Sequence, residues 1–272
     1  MERIKLALEK SRIARDSGAQ PPAMRNRDSR HSEAAETHSF VYNRTRGITL
    51  DAAYLRSHHV ISSRADPVAE QYKVLRTQVL QQMRERGLRS LAVTSPTPGA
   101  GKSLTAVNLS ISLAREMNQT VLLVDFDLRK PTIASLLTTE ALPGISDYLL
   151  HDKPIQELLV HPGVDRLVIL PGNEVIADSS EMLSSPKIVR LVEELRDRYA
   201  SRILVFDLPP VLTSDDVLAF RPHFDAALLV ASRGETRKAD LRRTIGLLGD
   251  SQILGTLLNK SRPTATRPGA GN

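Results

Sequence analysis

Apolar residues along this chain change their spacing twice before a regular alternation sets in. In residues 2–15, Ile4, Ala7 and Leu8 share one side of a short predicted helix, and from 17 to 64 Arg, Ser, His and Asn dominate with little periodicity. That stretch predicts a flexible leader carrying a docking helix. From Pro67, Val68, Tyr72, Leu75, Val79 and Met83 recur every three or four residues, which predicts an amphipathic helix ending near Gly87. Short apolar runs then follow at 91–94, 121–124, 167–170, 203–206, 226–230 and 253–257, separated by helical stretches at 103–117, 185–199 and 236–248. Runs of strand length alternating with helices predict an α/β fold, a mostly parallel sheet with helices on both faces. The last residues hold two Pro and two Gly and predict a disordered tail. The expected domains are therefore a leader at 1–64, a core at 65–260 and a tail at 261–272.

Composition narrows this picture. Apolar residues make up 41% of the 272 and aromatic ones only 4%, so the core is built from Leu, Val, Ile and Ala, as a sheet buried on both faces requires. There is no Cys, which excludes disulfides and thiolate metal sites. No apolar run reaches the roughly 20 residues of a membrane span, and the start MERIKLALEK is too charged for a signal peptide. A soluble, cytoplasmic protein is expected. The net charge of +6 is concentrated in residues 1–64, which hold 12 Lys+Arg against 7 Asp+Glu. Such a leader attracts acidic lipid, nucleic acid or an acidic protein, or is simply solvated.

The chemistry sits where strands end. The strand LAVTS runs into Pro96-Thr97-Pro98-Gly99-Ala100-Gly101-Lys102-Ser103 and then into a helix with Leu104, Val107, Ile111 and Ala114 on its inner side. Strand, glycine-rich loop and helix form a P-loop: backbone N–H groups converge on phosphates, Lys102 reaches the β- and γ-phosphates and Ser103 ligates Mg²⁺. The loop departs from the strict pattern at its first position, where Pro96 replaces Gly. The second run ends in Asp125-Phe126-Asp127-Leu128-Arg129-Lys130-Pro131, and alternation along a strand turns Asp125 and Asp127 the same way, toward phosphate and metal. One of the two would accept a hydroxyl proton. A further run ends in Asp207-Leu208-Pro209-Pro210, with Asp207 placed as a Walker B carboxylate that orients Mg²⁺ or its waters. Other features read more plainly. His58-His59 lacks a third metal ligand, Arg233, Arg237, Lys238, Arg242 and Arg243 suit a solvated helix face, and Asp215-Asp216 suits a helix start.

Taken together, S-x-x-P-G-x-G-K-S at 95–103, D-x-D-x-R-x-P at 125–131 and D-x-P-P at 207–210 resemble the bacterial tyrosine kinases of capsule and exopolysaccharide export, over about residues 66–260. The resemblance implies an ATP-dependent protein-tyrosine kinase on a P-loop fold. It also implies ATP contacts from Pro98, Gly99, Ala100, Gly101, Lys102, Ser103, Leu104 and Asn259, and catalytic roles for Lys102, Asp125 and Asp127. The metal set would be Ser103, Asp125, Asp127 and Asp207. Related ATPases that partition DNA carry an extra Lys early in the loop; Thr97 stands there, and no nucleic-acid partner is expected. The implied partners are an integral-membrane chain-length regulator that activates the kinase and recruits it to the inner membrane face, and a protein tyrosine substrate. Self-association through E-x-x-R-x-x-R is weakened because Glu70, Lys73 and Arg76 put Lys where a planar Arg fork belongs. No Tyr follows Tyr199, so the accepting tyrosines are Tyr42 or Tyr54 of the leader, or belong to another protein. The alternative is a P-loop ATPase that acts as a nucleotide-switched scaffold and phosphorylates no protein.

Overall fold

Burial on both faces is what the apolar runs demand, and the computed structural model, which describes residues 45–116, 119–197, 202–249 and 252–261, supplies it. The strands are β1 (Arg46–Gly47), β2 (Ser90–Thr94), β3 (Thr120–Asp125), β4 (Val160–His161), β5 (Leu167–Leu170), β6 (Arg202–Asp207), β7 (Ala226–Ser232) and β8 (Ile253–Asn259). They form one sheet in the order β1-β4-β5-β3-β6-β2-β7-β8. From β5 to β8 all neighbours are parallel. At the other edge β4 turns antiparallel to β5. Side chains alternate between two cores, so within β3 Val121 and Leu123 face one and Leu122 and Val124 the other.

The first core lies under α1 (Ala52–Ser57), α2 (Pro67–Glu85), α3 (Lys102–Ala114) and α4 (Ile133–Leu137). The second lies under α5 (Ile145–His151), α6 (Ile155–Leu158), α7 (Ser179–Leu183), α8 (Pro186–Asp197), α9 (Asp216–Phe220) and α10 (Lys238–Leu248). Helix α2 starts as its sequence predicts: Asp66 accepts the Val68 N–H at 3.0 Å and Pro67 takes the first turn. The parallel register of β3 and β6 sets Asp125 opposite Asp207. This pairing positions the site.

The structure departs from the sequence reading in two places. Residues 46–61, expected in a flexible leader, pack on the core: β1 pairs with β4, and Leu55, Val60 and Ile61 are buried. Tyr54 is consequently held, its hydroxyl donating to the Ser135 carbonyl at 2.8 Å and its ring stacked 4.1 Å from that of His58. The predicted helix at 2–15, Tyr42 and the tail beyond 261 lie outside the described residues. Second, Asp216 is not a cap. It is fully buried and accepts hydrogen bonds from Ser179 Oγ at 2.7 Å and Arg129 Nε at 3.4 Å. Glu70, Lys73 and Arg76, read from sequence as a weakened self-association motif, pair within the chain, Glu70 with Lys73, and Arg76 with the Ser112 carbonyl and Glu116.

Three phenylalanines are grouped. Phe126, Phe206 and Phe220 sit with ring centroids 4.5 to 5.5 Å apart beneath the carboxyl ends of β3 and β6. Phe126 lies between Asp125 and Asp127 in sequence, so this cluster anchors the strand ends that carry the carboxylates. Phe220→Ala leaves a cavity under both, and equilibrium denaturation should show a loss of about 3–5 kcal/mol.

Candidate functional site

The loop between β2 and α3 is shaped by two glycines with left-handed backbone, Gly99 at φ 81° and Gly101 at φ 89°. Gly101 is confined as well as twisted, because a Cβ there would meet Asn259 Nδ2 at 2.3 Å. Asn259 ends β8 and donates to the Ala100 carbonyl at 2.9 Å, tying the last strand to the loop. Pro96, the departure from the strict pattern, is held through its carbonyl, which accepts the Leu212 N–H at 3.2 Å. Gly101 precedes α3 without a side-chain cap, so the first N–H groups of a 13-residue helix point toward the loop. Such an end attracts anions.

Lys102 reaches across the strand ends. Its Nζ lies 2.6 Å from Asp127 Oδ2, 3.6 Å from Asp207 Oδ1 and 3.0 Å from Ser103 Oγ. Burial works to strip its proton, but Asp207 and Asp127 outweigh this and hold its pKa above the ordinary lysine value. Asp207 is fully buried and neither of its oxygens meets hydrogen-bond geometry with any described residue. Burial raises its pKa, and Lys102 and Ser103 lie near enough to oppose that rise. Asp125, also fully buried, is pushed up to about 7 by burial and by Asp207 beside it.

The two aspartates of the D-x-D run divide their work. Asp125 Oδ2 accepts the N–H groups of Thr132 and Ile133, both at 2.9 Å, and so fixes the start of α4. Asp127 accepts the Lys130 N–H at 3.1 Å and opens, with Lys102, Ser103, Arg129 and Thr132, on a cavity of about 390 Å³. Pro209 and Pro210 also line it. Thr132 Oγ1 lies 3.3 Å from Ser103 Oγ and was not foreseen from sequence; its place is set only once Asp125 turns the loop.

Among the described residues no three His, Cys, Asp or Glu side chains form a ready-made metal cage. A cage is not what Mg²⁺ requires, since it keeps several waters and takes one or two carboxylates together with phosphate oxygens. The orphaned oxygens of buried Asp207, beside Ser103 and a helix end built for anions, fit a hydrated Mg²⁺ bound with a nucleotide. A second cavity of about 560 Å³ shares Gly101 and Leu104 with the first and is lined by Tyr72, Leu75, Asn108 and Asn259 among others. The sequence reading placed Leu104 and Asn259 here and missed Tyr72 and Asn108. Asn108 was legible as a polar residue in an apolar helix stretch.

The loop after β5 completes the arrangement. Gly172 passes so close that a Cβ would meet Pro131 at 2.4 Å and Asp125 Cγ at 3.4 Å. Asp147 steadies this loop, accepting from Gly144 N–H at 2.9 Å, Lys153 Nζ at 2.6 Å and Asn173 Nδ2 at 3.2 Å.

Comparison with known proteins agrees with this fold. The AAA domain family model matches residues 88–220. The chain is 31% identical over 193 residues to the tyrosine-protein kinase YwqD of Bacillus subtilis, covering 70% of this chain and 80% of that protein. It is 27% identical over 201 residues to the tyrosine-protein kinase etk of Escherichia coli, covering 73% of this chain but only 27% of that longer protein. The solved kinase domain of Escherichia coli ETK superposes with a TM-score of 0.67 at 26% identity, covering 83% of this chain and 86% of the domain.

Two outcomes follow from the site. Lys102→Ala should weaken MgATP binding, read by calorimetry, by a factor on the order of 100 or more. Asp147 gives a pH signature. Burial alone would raise its pKa, yet Lys153, Gly144 and Asn173 together lower it, so its stabilisation is present above the unfolded value near 4 and fades as pH falls through the lower folded value. Asp147→Asn should cost about 1 kcal/mol at pH 7, with the gap from the unaltered protein closing in melts below about pH 4.

Proposed function

Since the chain belongs to the bacterial tyrosine-protein kinases, we propose that it transfers the γ-phosphoryl group of ATP to a tyrosyl hydroxyl, and that it does so in the control of polysaccharide polymerisation and export. The observation that carries this reading is Lys102 set between Asp127 and Asp207 at the mouth of a phosphate loop.

In this reading the α3 N-terminus and Lys102 bind the phosphates, and Ser103 and Asp207 hold Mg²⁺, with Asp127 beside them. The metal supplies charge neutralisation at the transferred group. Asp127, which faces the 390 Å³ cavity, takes the tyrosyl proton. Asp125, whose Oδ2 accepts two loop N–H groups, is assigned to holding the loop. When Lys102 engages phosphate it releases Asp127, so the base becomes available only with nucleotide bound. Asn259, at the junction of loop and second cavity, is placed to meet the base.

The acceptor is assigned to Tyr42 or to another protein. The activating partner is assigned to an integral-membrane chain-length regulator, which would hold the kinase at the inner membrane face. Among the described residues no helix is long and apolar enough to cross a membrane, so the reading assigns that attachment to the partner. The scaffold alternative keeps one supporting observation: residues 200–272 hold no Tyr.

Incubation with MgATP, with and without the cytoplasmic tail of the membrane partner, followed by phosphopeptide mapping, tests the proposal. Phosphotyrosine that disappears in Lys102→Ala is expected. MgATP turnover with no phosphotyrosine on either polypeptide would favour the scaffold.

A further inference from the structure

We infer that His59 is a nucleobase-contacting residue, and that the segment ahead of α2 forms one wall of the base pocket. The inference rests on the nucleotide reading above and assigns what lies at the other end of the nucleotide. The two cavities meet at Gly101 and Leu104. The one holding Lys102, Ser103 and Asp127 takes phosphates, which leaves the larger for the base and its sugar. Its lining suits a purine: Tyr72 and Leu75 give apolar surface, and Asn259 gives a polar edge.

His59 belongs to this lining, exposed and outside the region where any phosphate motif would direct attention. Its backbone terminates α1. The His59 N–H donates to the Arg56 carbonyl at 3.1 Å and the Val60 N–H to the Leu55 carbonyl at 2.8 Å, a Schellman pair that requires the left-handed conformation His59 adopts at φ 58°. Glycine occupies that position without steric cost, whereas a side chain with a Cβ is strained there. The cap does not need the imidazole, and no hydrogen bond of the ring is recorded among the described residues.

The segment is also fixed to the phosphate-binding helix. Asn108, on α3 and 1% exposed, donates from Nδ2 to the His59 carbonyl at 3.0 Å and accepts the Ile61 N–H through Oδ1 at 2.8 Å. A buried amide with both ends committed holds residues 59–61 against the helix that begins at Lys102. The imidazole is thus presented to the cavity on a rigid mount, at a backbone position where glycine would serve the fold better. Contact with a flat aromatic base accounts for both facts.

His59→Gly separates the ring from the backbone it sits on, because it relieves the strain and should melt no lower than the unaltered chain. Calorimetric titration with MgATP, and with magnesium tripolyphosphate as a probe of the phosphate end alone, reads the contact. ATP affinity should fall about 5- to 150-fold, the range of one lost base–aromatic contact, while tripolyphosphate affinity stays unchanged. Unchanged ATP affinity in His59→Gly would overturn the assignment, as would an equal loss for both ligands. Failure of the unaltered chain to bind either ligand would instead overturn the nucleotide reading beneath it.

Discussion

The register of β3 against β6 puts Asp125 directly beside Asp207, both without exposed surface, at the edge where the sheet opens to ligand. Like charges so placed repel, and leaving water costs each of them its hydration. One lysine answers this. Lys102 can do so only because Gly101 turns the chain through a conformation closed to other residues, bringing the head of α3 over the strand ends. The cluster of Lys102, Asp125, Asp127 and Asp207 remains short of positive charge, and the upward pressure on Asp125 and Asp207 expresses that shortage. A divalent cation is the chemistry that would relieve it.

Around this cluster the loops are arranged in dependent layers. Asp125 pins the first turn of α4 through two N–H groups, and α4 brings Thr132 to Ser103. Gly172 lets the loop after β5 pass against Pro131, and Asp147 holds that loop from behind. Beneath the strand ends, Phe126, Phe206 and Phe220 give the carboxylate-bearing residues a stiff floor. Each contact restricts a loop whose freedom would otherwise blur the 2.6 Å contact between Lys102 and Asp127.

How far the sequence could be read follows from element length. The six longer strands and the helices at α2, α3, α8 and α10 were legible, because runs of four or more residues carry a pattern. Their ends differed from the observed ones by a few residues, as frayed termini do. The P-loop and the strand-end aspartates were legible for a related reason: a motif is a period of chemistry. What escaped were short pieces whose stability is wholly tertiary. The two residues of β1 and the six of α1 have no pattern of their own, and they are ordered by β4 and by burial of Leu55, Val60 and Ile61. The leader was therefore drawn too long at its carboxyl end. Asp216 was misjudged for a similar reason, since its partners Arg129 and Ser179 are 87 and 37 residues away.

Burial also bears on where a phosphoryl acceptor can lie. Tyr54 is stacked and hydrogen-bonded to the Ser135 carbonyl, and burial raises the pKa of Tyr72. Tyr148 lies beneath the Lys187 ammonium, 5.0 Å from its ring centre. A tyrosyl hydroxyl entering the cavity between Asp127 and Pro210 must arrive on a segment that can leave its own packing. For any of these three that means breaking contacts of the fold. A chain segment outside the packed core pays no such cost, and it need not belong to the same polypeptide. The architecture of the site, open at the carboxyl edge and walled by loops, favours an acceptor brought to it over one built into it.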